Sequence, residues 1–378
     1  MLPCQRHVFH MPDEVAYFNC AYMAPMLRAV RTASEEALAL TSQPWQLTAA
    51  DFFTPAERAR SLFARLIHAR PDDVAIVPSA SYGISTAAKN LRLGPGRAVL
   101  VLEEEFPSNV YAWRALAQRD GGELRVVRRP RDADWTTAIL GALDDTVAIA
   151  ALPNVHWTDG GLVDLARVSP ALQQLGARLV LDITQSLGAL PFDVTRVKVD
   201  YLACAGYKWL LGPYSLGFLY AAEEHHQGEP LEYNWANRED SENFARLVDY
   251  RDTYQFGARR FDMGERANFL LLPMVTASLE QLLDWTPEAI TATLGDLTER
   301  IASHAPALGT AAPPRALRAP HLLGLRFRDG VPDGLVDQLR SQKIYVSIRG
   351  ETVRIAPHLH NNAADVDRLL EALRQRAR

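Results

Sequence analysis

The reading of the fold turns on Arg178–Gly212, RLVLDITQSLGALPFDVTRVKVDYLACAGYKWLLG. An apolar run, Leu179–Leu181, ends on Asp182, with Gln185 three residues further on. A second run, Tyr201–Ala203, leads into Ala205-Gly206-Tyr207-Lys208. Short continuous apolar runs, as opposed to alternating ones, predict parallel strands covered on both faces. Groups at the carboxyl ends of such strands meet in the crevice where ligands bind. The stretch therefore predicts a carboxylate and an amine sharing one crevice.

Working outward, Val74–Val77, Ala98–Leu102, Leu124–Val127, Val147–Leu152, Arg178–Leu181 and Gly217–Tyr220 read as further strands. Between and around them, Pro55–Ile67, Ser81–Leu91, Val110–Ala117, Leu165–Leu175 and Arg266–Leu283 read as helices. Strands alternating with helices predict an α/β fold with a mostly parallel sheet. Glu223–Gly264 is polar, aromatic and aperiodic, and loops this long usually serve as lids or interface arms. Beyond it, Leu322–Phe327, Gly334–Ser341, Ile344–Ile348, Val353–Ala356 and a helix at Ala364–Arg374 suggest a small α+β domain, with Asn361 or Asn362 as the last helix's N-cap.

At 378 residues and 48% hydrophobic content, the chain can bury a sizeable core. Forty Lys+Arg against 45 Asp+Glu leave a formal charge of −5, which disfavours nucleic acid or an anionic membrane as main partner. The three cysteines, Cys4, Cys20 and Cys204, are too scattered for a disulfide framework or a zinc site, so no metal is expected. No run approaches the ~18 apolar residues of a membrane span. The N-terminal residues lack a signal-peptide pattern, so the expected location is the cytoplasm.

An acid and a lysine at neighbouring strand ends suit several chemistries. One demands them together: pyridoxal phosphate, held by lysine as a Schiff base with an acid against its pyridinium nitrogen. The plain alternative makes Asp182 a helix cap and Lys208 a solvated loop lysine. Other strand ends add weight. Val74–Val77 runs into Pro78-Ser79-Ala80-Ser81 and then a helix, so Ala80 N–H with Ser81 N–H and Oγ are placed to hold a phosphate. An ordinary serine cap explains the same residues. Phe106, beyond Ala98–Leu102, is a candidate to stack on a heteroaromatic ring, or a core phenylalanine. Asn154, beyond Val147–Leu152, is placed to donate to the cofactor's phenolic oxygen or to a substrate carboxylate.

With these segments together the chain resembles the class V aminotransferases, the cysteine desulfurase-like group of fold-type I pyridoxal phosphate enzymes. The resemblance rests on Phe18–Pro25, Ser79-Ala80-Ser81, Glu105–Asn109, Asp182-Ile183-Thr184-Gln185, Gly206-Tyr207-Lys208 and Val353–Asn361. It implies a large domain over 28–258 with a seven-stranded sheet, and a small domain from 1–27 and 259–378 that completes the site. It implies catalytic roles for Lys208 and Asp182, with Gln185 facing the phenolic oxygen and Phe106 on the ring. Ala80, Ser81 and Tyr207 would hold the phosphate. Asn109 and Asn154 would contact the cofactor, and Arg354 would fork onto the substrate carboxylate with Ala21 and Asn154 nearby. The family implies a homodimer, with Gly264 or Asn268 reaching the partner's phosphate. Two departures stand out: Asp262–Asn268 lacks a threonine many relatives carry, and Ala205 replaces a hydroxyl residue.

The resemblance implies an amino-acid substrate and aminotransferase-type chemistry first, with lyase, kynureninase-like hydrolase and epimerase alternatives. A persulfide-forming desulfurase needs a small-domain cysteine, and Ala205–Arg378 contains none. A non-catalytic, cofactor-binding regulator is the non-enzyme alternative. Arg349, five residues before Arg354, reads either as a receptor for a second acidic group or as a solvated turn arginine beside Gly350.

Overall fold

Seven strands build the large sheet of the computed structural model, which describes residues 1–375. They are β1 (Val74–Val77), β2 (Ala98–Leu102), β3 (Glu123–Val127), β4 (Val147–Pro153), β5 (Arg178–Asp182), β6 (Tyr201–Ala205) and β7 (Gly217–Ala221). Their order across the sheet is β1-β7-β6-β5-β4-β2-β3, and every strand but β7 runs parallel. The buried apolar runs explain this: β1, β2 and β6 have no exposed residue, so each needs cover on both faces.

Helices supply that cover in two layers. Thr54–Leu66 and Leu271–Trp285 share one core with the sheet's first face, where Phe63 stacks on Phe218 at 4.2 Å. Ala80–Asn90 and Tyr111–Asp120 pack on the other face with Trp113 and Phe261. Two helices escape the sequence pattern, Arg28–Thr41 and Trp135–Gly141. The first buries only Val30 and Ala37, which is too sparse a stripe to read from spacing.

The small sheet has the order β10-β11-β9-β8, with β8 (Thr310–Ala311), β9 (Leu323–Phe327), β10 (Ser347–Arg349) and β11 (Thr352–Ile355), all antiparallel. The helix Ala363–Arg374 covers it; Asn362 and Asp365 form its capping box. The N-terminal segment joins this unit: Ala16–Tyr17 pairs with Ile344–Tyr345, and Asn19 bridges to Ala356. Leu272, Val275 and Leu279 sit in the large core, whereas Ile301 sits in the small one. Along Pro287–Ala302 the buried side chains pass from the large core, with Ile290 and Leu294, to the small one, with Ile301. No helix among the described residues is long and apolar enough to cross a membrane.

Candidate active site

At the carboxyl ends of the parallel strands lies a cavity of about 250 Å³. Its walls bring together Ala80, Ser81, Phe106, Asp182, Gln185, Tyr207 and Lys208 from four separate strand ends. Lys208 is buried, with Nζ 5.3 Å from the Phe106 ring centre and 5.5 Å from that of Tyr207. The backbone before it is tightly held. A Cβ on Gly206 would meet the Leu216 carbonyl oxygen at 2.7 Å, so only glycine lets this strand end pass.

Burial pushes the Lys208 amine down to about 8, opposed by Asp182 and assisted by the positive charge of Arg354. Asp182 is raised by burial, and Thr184 N–H donates to its Oδ1 at 3.0 Å. The two feel each other's charge but form no ion pair. A gap therefore separates a buried acid from a buried amine. That donor set fits pyridoxal phosphate: Lys208 would hold its aldehyde, Asp182 its ring nitrogen, and Phe106 would cover its ring.

The start of the helix Ala80–Asn90 suits the phosphate. Ser79 Oγ accepts from Tyr82 N–H at 3.1 Å, and Gly83 N–H donates to the Ser79 carbonyl. This leaves the first-turn N–H groups of Ala80 and Ser81 for a ligand, where helix ends attract anions. Ser79 Oγ and Ser81 Oγ lie 2.9 Å apart. Near Ala205, which lacks a hydroxyl, the hydroxyl-bearing Ser215 and Tyr214 line the cavity.

Other expected residues sit differently. Gln185 lines the cavity, but its Nε2 donates to the Ala21 carbonyl at 3.0 Å and its Oε1 accepts from Trp209 Nε1 at 3.0 Å. Ala21 thus serves the site through its backbone oxygen. Asn154 donates its amide to the Val163 carbonyl at 3.1 Å, and its neighbours Pro153 and Val155 form the wall. Asn109 is fully buried and accepts from Trp113 Nε1 at 3.2 Å, while Ser108 takes the lining position. Gly264 N–H bonds Glu232, and Asn268 caps the helix Leu271–Trp285 by accepting from Leu271 N–H at 2.9 Å; neither lines this chain's cavity.

Arg354 is buried at the cavity's edge. Its Nε donates to Ser347 Oγ at 3.2 Å, its Nη1 to the Trp157 carbonyl at 2.8 Å, and its Nη2 has no partner. No acid pairs with it among the described residues. Arg349 is half-buried and donates to the Ile348 carbonyl at 2.6 Å.

Several cavity residues were given no role from sequence, among them Ser108, Tyr214, Ser215 and Glu105. Glu105 is buried, lines the cavity and leaves Oε2 without a partner, while its Oε1 accepts from Phe106 N–H at 2.6 Å. Burial, with Asp182 nearby, pushes it up to about 8, so it is protonated at neutral pH. The only signal was its place beside Phe106.

The family model for aminotransferase class V matches residues 23–369. An uncharacterized aminotransferase of Bacillus subtilis is 26% identical, the match covering 84% of this chain and 82% of that protein. The isopenicillin N epimerase of Streptomyces clavuligerus is 25% identical over 84% and 83%. A kynureninase of Burkholderia mallei is 28% identical over 62% and 58%. Among solved structures, a mutant of C-DES with glycine covalently linked to its PLP cofactor superposes with a TM-score of 0.88 at 19% identity, over 98% of this chain and 99% of that one. The Escherichia coli cysteine desulfurase CsdA gives 0.82 at 23% identity, over 100% and 98%. The two structures bear on the fold alone.

Proposed function

We propose that this chain, which belongs to the aminotransferase class V family of pyridoxal phosphate enzymes, transfers the amino group of an amino acid. The observation that carries the reading is Lys208: a buried amine with depressed basicity, facing Phe106 and Asp182 in one cavity. When bound there, pyridoxal phosphate supplies an electron sink for the bonds of the substrate's α-carbon.

The protein's own groups set the rest. Lowered to about 8 by burial, the Lys208 amine gives up its proton far more readily near neutral pH than an ordinary lysine. Lys208 Nζ would be the base that takes and holds the proton of the substrate's α-carbon. Asp182, buried and held by Thr184 N–H, would pair with the cofactor's protonated ring nitrogen, whose charge offsets the burial that raises the acid. Arg354 offers the α-carboxylate its unpaired Nη2, and a guanidinium fork fixes pose as well as charge. The first turn of Ala80–Asn90 anchors the phosphate. A cytoplasmic homodimer, with Gly264 or Asn268 serving the partner's site, is part of the same proposal.

Cysteine chemistry supports a reading other than persulfide formation. Cys20 and Cys204 are buried, with thiols pushed up by desolvation, and Cys4 is exposed. A buried, protonated thiol is a poor nucleophile. The second reading is epimerisation, favoured by the similarity to isopenicillin N epimerase along 84% of the chain.

A spectral screen of amino acids tests the choice. Transamination leaves the cofactor in its amine form with one equivalent of keto acid. Release of keto acid with ammonia means a lyase instead, and an inverted amino acid without either means an epimerase. Asp182→Ala should retain the fold, read by circular dichroism, and lose turnover by at least about a hundredfold; unchanged turnover refutes its assigned role.

A further inference from the structure

Arg349 and Arg354 lie on the paired strands β10 and β11. In their register Ser347 stands opposite Arg354, and Arg349 opposite Thr352. Residues two apart on a strand share a face. Both arginines therefore project from one face as diagonal neighbours, about 7–8 Å apart. Trp157, a cavity wall residue, receives both: the Arg349 Cζ lies 5.6 Å and the Arg354 Cζ 6.0 Å from its ring centre. Trp157 is itself fixed by Nε1 donating to the Glu104 carbonyl at 2.7 Å and by an edge-on contact with Phe106.

Neither guanidinium has a carboxylate partner among the described residues. Arg349 bonds only the carbonyl of Ile348, and Arg354 leaves Nη2 unpaired. Like charges on neighbouring positions of one sheet face destabilise each other, and Arg349 disfavours the charge on Arg354. Both act on Lys208 as well, so both fields reach the cavity. A solvated turn arginine would have no reason to be half-buried against a tryptophan that its neighbour also contacts. An α-carboxylate alone neutralises one of the two charges. Resting on the reading of the cavity as an amino-acid site, we propose that Arg349 binds a second anionic group on the substrate. The substrate class is then an amino acid with an acidic side chain.

The test is calorimetric titration of the purified protein with glutarate and with butyrate at one ionic strength, in wild type and Arg349→Gln. The wild type should bind glutarate at least about tenfold more tightly than butyrate, the scale of one added charge-assisted contact. Arg349→Gln should bring the two ligands to within about twofold, with circular dichroism unchanged. Equal binding of both ligands by the wild type, or a preference that survives Arg349→Gln, overturns the proposal. Cofactor absorbance and borohydride labelling of Lys208 are read on the same samples. A labelled protein without glutarate preference removes the second anion site only, whereas a protein that takes no label removes the enzyme reading.

Discussion

The guanidinium charges of Arg60 and Arg266 and those of Arg349 and Arg354 are handled in opposite ways. Arg60 and Arg266, both buried, converge on the buried Asp262: Arg60 donates from Nη2 at 2.7 Å and Nη1 at 3.1 Å and Arg266 from Nη1 at 3.1 Å, with Ile76 N–H adding a fourth contact at 2.7 Å. That cluster clamps the segment after the aromatic arm onto β1. Arg349 and Arg354 face each other's charge with no acid partner among the described residues. Burying charge costs several kcal/mol per ion unless a partner compensates. In the first cluster the partner is part of the chain. In the second it must arrive from outside, and the same cost becomes affinity for an anion. Pairing, more than burial, separates structural arginines from ligand-binding ones.

The largest effect that sharpens this contrast is expected at the paired cluster. Asp262→Asn should cost about 3–5 kcal/mol in urea unfolding, because two guanidiniums lose their shared acid. A cost under 1 kcal/mol would dissolve the contrast. Arg354→Gln should do the reverse: stability unchanged or raised, with kcat/KM lower by about a hundredfold, corresponding to about 2–3 kcal/mol of lost binding. A stability loss as large as at Asp262 would make Arg354 a structural residue.

Buried imidazoles show a third solution, which is to stay neutral. Burial holds His321 and His360 down to about 4, from 6.5. The unfolded chain takes up their protons near pH 6.5 and the folded chain only near 4, so stability is full above 6.5 and falls as pH drops. Each imidazole should remove about 1 kcal/mol between pH 6.5 and 5.5, read as the difference in urea midpoints at the two pH values between wild type and His321→Gln; a pH dependence that the substitution leaves unchanged would refute the neutral state of His321. The smallest effect concerns Lys208. Cofactor uptake by the cofactor-free protein should rise with pH around a midpoint near 8. Because Arg354 opposes the lysine's charge, Arg354→Gln should move that midpoint upward; because Asp182 favours it, Asp182→Asn should move it downward. Shifts of the opposite sign would mean that these charges do not reach the amine.

Much of this was readable from sequence, for identifiable reasons. Buried parallel strands leave continuous apolar runs, so all seven strands of the large sheet could be placed to within two residues. Strand ends gather in one crevice, so Lys208, Asp182, Ser81 and Phe106 could be expected together. Side-chain amides resisted, because Asn154 and Asn109 have two possible partners, a ligand or the nearby chain, and spacing does not choose between them. In the structure their recorded bonds go to Val163 and Trp113. Glu105 was missed for the converse reason: a carboxyl among three glutamates reads as surface until the fold buries it. The unpaired state of Arg354 is a property of what fails to come near it, which no local pattern records.

The central claim is that the Lys208 amine carries the cofactor. Borohydride reduction of the protein with pyridoxal phosphate, followed by peptide mass analysis, tests it directly. The account predicts one added pyridoxyl phosphate group on the peptide bearing Lys208, absent in Lys208→Ala. An unmodified Lys208 peptide, or the label fixed on another lysine, would contradict it.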